Sequence, residues 1–283
     1  MISQALYSML GQDFILQNCS DDWSNLEFND YYTESFQRSY MGLVLDNTEK
    51  IESVYTAVFP SENVLEKLCS SDISNALLFT HHPMIWNISG MPAFTGIPDK
   101  YLESLAKRHI SLYTLHTPLD KNGTYSTSVN LAKAVGADMV GEFYQNHGCN
   151  VGAYCITNHE TVHELKQSLE SAIGHEAKLY LYGDEEIKRG TAAFVAGGGN
   201  DVKVYEILAE KGLNTFVTGV AADNTGYSPA IEAHKAAKAH GINIISGTHY
   251  STEKFACIKM VKYFKKIGLP CEFVEDTPDF LDM

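Results

Sequence analysis

Short apolar runs alternate along this chain with stretches whose apolar positions recur at helical spacing, and Gly, Pro and Asn punctuate the boundaries. That alternation predicts an α/β protein. Regular patterning begins at 41–45, and 52–59 (Glu-Ser-Val-Tyr-Thr-Ala-Val-Phe) reads as a strand. Pro60 and Ser61 end it and open a helix through Leu65 and Leu68. Residues 75–80 follow as a mainly apolar, buried strand, and strand, helix and strand in this order make a parallel βαβ unit. After a Gly/Pro-rich loop at 89–98, a helix over 100–107 leads to a strand at 109–116, whose apolar residues include Ile110, Leu112 and Leu115. A further helix over 128–135 stops at Gly136-Ala137-Asp138. Upstream, 2–10 has the pattern of a short helix, whereas 18–38 is acidic and aromatic without a period and reads as an irregular surface segment.

From about 140 to 240 the chain behaves as a second unit. Residues 149–156 and 177–182 read as strands flanking an amphipathic helix with Val162, Leu165, Leu169, Ala172 and Ile173 on one face. A strand at 191–196, the turn Gly197-Gly198-Gly199-Asn200-Asp201, a helix over 204–209 and a strand at 214–219 come next. Laid over 192–218, residues 54–80 match strand to strand and helix to helix, with Leu-Phe-Thr-His falling on Phe-Val-Thr-Gly. This weak internal repeat predicts two similar α/β units with mostly parallel sheets, one built from 1–139 plus 241–283 and the other from 140–240. The closing part supplies a strand at 242–246 and a helix over 254–263, with Ser251 or Thr252 as its expected cap.

Composition narrows the partners. The 283 residues are 45% hydrophobic, enough to bury a sizeable core. Lys plus Arg number 21 against 35 Asp plus Glu, and the resulting charge of −14 opposes phosphate-backbone binding, so no direct DNA binding is expected. An anionic nucleotide stays admissible where a metal ion or a helix terminus supplies local positive charge. The first ten residues lack the basic and continuous apolar regions of a secretion signal, and no stretch has the apolar length to cross a bilayer. Cys19, Cys69, Cys149, Cys155, Cys257 and Cys271 are scattered, with no Cys-x-x-Cys pair, and read as reduced thiols of a cytoplasmic protein.

Three segments place candidate metal-binding side chains just past the carboxyl end of an apolar strand. They are His81 and His82 after 75–80, Asp120 after 109–116, and His249 and Glu253 after 242–246. Pro83 keeps the first strand from running on past its histidines. Neighbouring side chains on an extended chain face opposite ways, so a turn is needed there before both imidazoles address one site. In an open parallel sheet that edge is where ligands bind, and three such segments in one sheet would share it. Three imidazoles and two carboxylates fill two coordination shells only if a carboxylate bridges and water completes them. Such open two-metal sites, with ions ~3.5–4 Å apart, polarise a substrate oxygen and acidify water. Nitrogen and oxygen donors without thiolate suit Zn, Mn, Fe or Co rather than Ca or copper(I). The competing reading is five unrelated polar loop residues near a helix cap. His116 reads either as an acid/base or ligand-orienting group or as a satisfied strand-end histidine.

Two further motifs carry less. His159-Glu160-Thr161-Val162-His163 matches the His-Glu-x-x-His pattern, yet both histidines fall off the apolar face of the helix it opens and no third ligand follows in a suitable context. It reads as a solvated first turn. Gly197-Gly198-Gly199 lacks the Lys-Ser/Thr of a phosphate-binding P-loop and reads mainly as a strand-to-helix turn.

Leu-Phe-Thr-His-His-Pro at 78–83, Leu-His-Thr-Pro-Leu-Asp at 115–120 and Ser-Gly-Thr-His-Tyr-Ser-Thr-Glu at 246–253 together resemble the Nif-three-like dinuclear-metal family. His-Gly-Cys-Asn-Val-Gly at 147–152 and Ala-Gly-Gly-Gly-Asn-Asp at 196–201 extend the likeness over roughly 41–275. The resemblance implies a fold of two interlinked α/β units and a ring-shaped homohexamer with metal sites facing an internal cavity. It also implies two divalent ions on His81, His82, Asp120, His249 and Glu253, with Glu253 bridging. Two departures stand out: Arg38-Ser39-Tyr40-Met41-Gly42-Leu43 replaces the family's Trp-Asp-Asn-x-Gly-Leu, and Gly219-Val220-Ala221-Ala222-Asp223 lacks the usual acidic residue. Bacterial members are labelled GTP cyclohydrolase type-one, type-two homologues. The expected activity is metal-dependent hydrolysis of a small molecule, with a nucleotide such as GTP as one class and His116 as the acid/base group. The alternative is a metal-binding or regulatory interaction hexamer without turnover.

Overall fold

The computed structural model describes residues 1–14, 21–23, 26–223 and 227–283. Contacts divide the chain into two compact units, Met1–Leu119 with Cys257–Thr277 and Asp120–Ala256 with Pro278–Met283. In the first, α1 (Ser3–Asp13) buries Leu6, Tyr7 and Leu10. α2 (Glu34–Ser39) is capped by Thr33, whose Oγ1 accepts from the Phe36 N–H, and Phe36 is its buried residue. β1 (Gly42–Leu45) and β2 (Ser53–Ala57) precede α3 (Glu62–Ser70). Ser61 caps α3 by accepting from the Val64 N–H, and Val64, Leu65 and Leu68 face the core. β3 (Ala76–Thr80) is buried throughout, as a central parallel strand covered on both faces should be. The two-residue strands β4 (Ile85–Trp86) and β5 (Phe94–Thr95) pair antiparallel, and α4 (Asp99–Lys107) leads into the fully buried β6 (Ile110–Thr114).

The short helix α5 (Thr117–Asp120) ends on the first residue of the second unit, followed by α6 (Thr127–Ala134), the long β7 (Ala137–Asn146) and β8 (Cys149–Thr157). α7 (Val162–Ile173), β9 (Lys178–Tyr180), β10 (Thr191–Val195), α8 (Val202–Glu210), β11 (Thr215–Thr218), α9 (Ser228–His240) and β12 (Asn243–Ser246) follow. These strands form a six-stranded sheet in the order β7-β8-β10-β11-β12-β9, with β10, β11 and β12 parallel. α10 (His249–Lys266) starts in this unit, and β13 (Cys271–Phe273) belongs to the first. β13 pairs in parallel with β2 and completes a five-stranded sheet, β1-β6-β3-β2-β13, in which only β1 is antiparallel. The β2-α3-β3 and β10-α8-β11 units are both parallel βαβ crossovers, matching the repeat read from the sequence.

Several expectations change. Residues 120–139, 241–256 and 278–283 fall in the second unit rather than the first, because α6 packs on β7, β8 and β10, β12 hydrogen-bonds to β11, and the Asp282 carbonyl accepts from the Ala221 and Ala222 N–H groups. As a result, the three strand ends expected on one sheet edge come from two sheets: β3 and β6 from the first, β12 from the second. Part of 18–38 lies outside the described residues, but Trp23, Leu26, Tyr32 and Phe36 are buried in the first core rather than on the surface, since their large apolar side chains outweigh the polarity of their neighbours. Residues 137–146, 228–240 and 271–273, read without an element, form β7, α9 and β13. Cys149 is disulfide-bonded, which overturns the reading of six reduced thiols, while Cys69, Cys155, Cys257 and Cys271 are free; Cys19 lies outside the described residues. Among the described residues no helix is long and apolar enough to cross a membrane.

Candidate metal centre

β3 ends at Thr80, and the next two backbone N–H groups, those of His81 and His82, donate to Ala57 and Val58 carbonyls at 3.2 and 2.9 Å. The backbone is thus held just past the strand, and both imidazoles are almost completely buried. His81 Nδ1 lies 3.1 Å from the Leu115 carbonyl, which can only accept, so Nδ1 carries the proton and Nε2 presents a lone pair. His116 follows the same rule. Its Nδ1 donates to Asp21 Oδ1 at 2.8 Å, and Asp21, whose side chain is 1% exposed, also accepts from the Thr117 hydroxyl.

His81, His82 and His116 draw together, with ring centroids 4.5 to 5.0 Å apart. Each offers one ligand atom within 4.8 Å of the other two. Phe59 stacks on His82 at 4.4 Å, and Trp23 stands edge-on to His116 at 5.0 Å, so aromatic surface shapes the site and lowers its dielectric. Asp21 and Trp23 were not among the residues singled out from the sequence. The contact between Asp21 and His116 joins positions 95 apart with no shared period, and an acidic pair beside a tryptophan is the only local signal.

In the second unit, His249 opens α10 and Glu253 stands four residues further along it, both buried, with His249 Nε2 3.3 Å from Glu253 Oε1. The expected cap is corrected: the helix starts at His249, and Thr248 Oγ1 accepts from the Ser251 N–H at 3.1 Å, because the five residues 249–253 also adopt helical backbone beyond what the apolar period shows. Gly197, at φ +69°, lies directly against this pair. A Cβ there would stand 2.1 Å from Glu253 Oε1 and 3.0 Å from His249 Nε2. The glycine run is therefore more than a turn, because it leaves the space the carboxylate fills. Gly219 repeats the arrangement against Thr252, where a Cβ would meet Oγ1 at 2.5 Å. Asp120, half-buried at the end of α5, accepts from Thr127 Oγ1 at 2.9 Å. Each unit by itself presents donors of the kind a borderline divalent cation takes: imidazole nitrogens in the first, and in the second an imidazole with a carboxylate whose space a glycine protects. The residues present fit such an ion.

The His-Glu-x-x-His pattern forms no such group. His159 precedes α7 and bonds to Thr157 and Ser168 hydroxyls at 2.5 and 2.6 Å, whereas His163 sits half-exposed 3.7 Å from Glu185. Thr161 caps the helix, accepting from the Glu164 N–H.

Comparison with known proteins adds the family context. The model of the Duf34/NIF3 (NGG1p interacting factor 3) family matches residues 28–279. A protein of Archaeoglobus fulgidus named GTP cyclohydrolase 1 type 2 homolog is 28% identical over 253 residues, covering 88% of this chain and 93% of its own length. A Pyrococcus horikoshii protein of the same name is 26% identical, covering 84% and 90%. Among solved structures, ybgI, described as of unknown function, superposes with a TM-score of 0.72 at 19% identity over 99% of this chain and 100% of that one. Reduced HcgD from Methanocaldococcus jannaschii gives 0.67 at 23% identity over 98% of both chains.

Proposed function

Since the chain belongs to the Duf34/NIF3 family, we propose that it is a dinuclear metal-binding protein and a metal-dependent hydrolase acting on a small molecule. In this reading His81, His82, Asp120, His249 and Glu253 would hold two divalent ions drawn from Zn, Mn, Fe and Co. The observation that carries it is the buried pair His81 and His82, whose ligand atoms lie within 4.8 Å of each other and of that of the neighbouring His116. Imidazole is the commonest metal-binding side chain, and nitrogen donors gathered this closely suit a borderline divalent cation.

The ions supply Lewis acidity toward a substrate oxygen or an attacking water. The remaining work belongs to the protein. Asp21 fixes the His116 tautomer, so in this reading Nε2 is the nitrogen that would take a proton from water and return it to the leaving group. Phe59, Trp23 and Phe94 around the histidines exclude bulk water. The relatives' name makes GTP, attacked at the purine carbon, the first substrate to test, and a cytoplasmic homohexamer is the assembly this reading carries with it.

The test is to strip the protein with a chelator, reload it with each of the four metals and assay GTP beside a panel of phosphoesters and amides. Uptake of about two metals per chain is expected, with turnover that is lost in His82→Ala and Glu253→Ala. Metal uptake without turnover on any substrate favours a non-catalytic metal-binding or regulatory protein, and no uptake removes both readings.

A further inference from the structure

We propose that Asp282 is a positioning residue for His249, and that the segment Pro278–Met283 is a strap holding the first turn of α10. The proposal rests on the metal reading above. Residues 280–283 lie past the matched family region, 28–279. Even so, Asp282 is fully buried. Its Oδ2 accepts the backbone N–H of His249 at 2.8 Å, while its own carbonyl accepts from the N–H groups of Ala221 and Ala222 at 2.7 and 2.9 Å. Asp279 shapes the single 3-10 turn Phe280–Asp282 by accepting from the Leu281 N–H at 3.0 Å.

A second line from the strap reaches the same helical turn. Phe280 stands edge-on to His175 at 5.1 Å. His175 Nδ1 faces the Glu176 carbonyl at 2.7 Å and so carries the proton, which leaves Nε2 to accept from the Ser251 hydroxyl, also at 2.7 Å. The strap therefore addresses α10 at His249 directly and at Ser251 through His175.

The physical need is plain. The first N–H groups of a helix have no acceptor within it, and a carboxylate placed there is favoured by the aligned peptide dipoles. Thr248 serves the Ser251 N–H, and Asp282 serves that of His249. His249 and Glu253 meet at 3.3 Å because they stand four apart on a formed helical turn. If that turn frays, His249 Nε2 leaves the carboxylate, and the pair no longer presents two donors to one ion.

The experiment uses the full chain, stripped of metal and titrated with Co²⁺ while its visible ligand-field absorption is recorded. Asp282→Ala is expected to bind cobalt roughly tenfold more weakly or worse and to show a changed band, the effect usual for a group that orients a metal ligand. Asp282→Asn keeps an oxygen acceptor at the same reach and should stay within about threefold of the unaltered chain, with the original band. Asp282→Ser, one atom shorter, should behave as Asp282→Ala does and replaces it in the comparison if the alanine variant does not fold. Unchanged affinity and band in the alanine and serine variants overturn the proposal while cobalt uptake by the unaltered chain leaves the metal reading standing. An asparagine variant as weak as alanine overturns it too, because the hydrogen bond would then not be what acts. No uptake by the unaltered chain removes the metal reading and this role with it.

Discussion

Single residues show most clearly what the candidate site demands. Gly197 combines a left-handed backbone with a neighbour that leaves no room for a side chain. Gly197→Ala is therefore expected to lower stability by about 2 kcal/mol in urea unfolding, since left-handed backbone alone costs a non-glycine residue about 1–2 kcal/mol. It should also reduce cobalt uptake by displacing Glu253. Asp21 acts by a different means, holding a proton on His116 Nδ1. Asp21→Ala should leave His116 mixed between its two tautomers, which nitrogen-15 NMR of the imidazole reads directly; an unchanged Nδ1–H tautomer would remove the role assigned to Asp21. His81 and His82 are legible as candidates from sequence because an apolar strand and Pro83 frame them. Asp21 and Asp282 are not, because each reaches its partner from a segment with no period and across a long separation in sequence.

Among the elements, the helices between parallel strands set where the strands end. α3 joins β2 to β3 and so governs the register that brings His81 and His82 to the sheet's carboxyl edge. Ser61 is not part of the site, but its hydroxyl oxygen accepts the Val64 N–H at 3.1 Å. Ser61→Ala should cost about 1 kcal/mol of stability, measured by urea unfolding, while cobalt affinity stays as it was. Patterning recovers β2, α3, β3, α4, β6, α7, β10, α8, β11 and β12 because each has an apolar face with a clear period or a short buried run. β7 escapes it, with most of its residues half-buried or exposed and Gly141 interrupting the alternation. α9 escapes it because its buried face is alanine and histidine, too weakly apolar to register.

At the scale of the whole molecule, burial sets a pH limit. Burial pushes the Cys155 and Cys271 thiols up to about 12, with the charge of Asp138 adding to the first. Burial likewise raises the Tyr7 hydroxyl to about 12. The folded chain keeps these protons where the unfolded chain loses them, so their contribution is complete below about pH 9 and is lost as pH rises toward 12. Unfolding midpoints should hold constant from pH 7 to 8 and fall between pH 9 and 12, and Cys155 should resist alkylation in the native protein. A midpoint that rises over that interval would contradict the burial assigned to these groups. Light scattering on the purified protein tests the proposed assembly, with six chains per particle expected. By itself, the sequence determined the α/β class, the two parallel βαβ crossovers and the histidines and carboxylates worth attention, because apolar periodicity and strand-end punctuation are local properties. Tertiary structure alone decided that β12 joins the second sheet, that Gly197 makes room for Glu253, and that Asp21 and Asp282 hold His116 and His249. Those outcomes depend on which hydrogen-bond partners and which buried volumes become available once distant segments pack, and no local period encodes them.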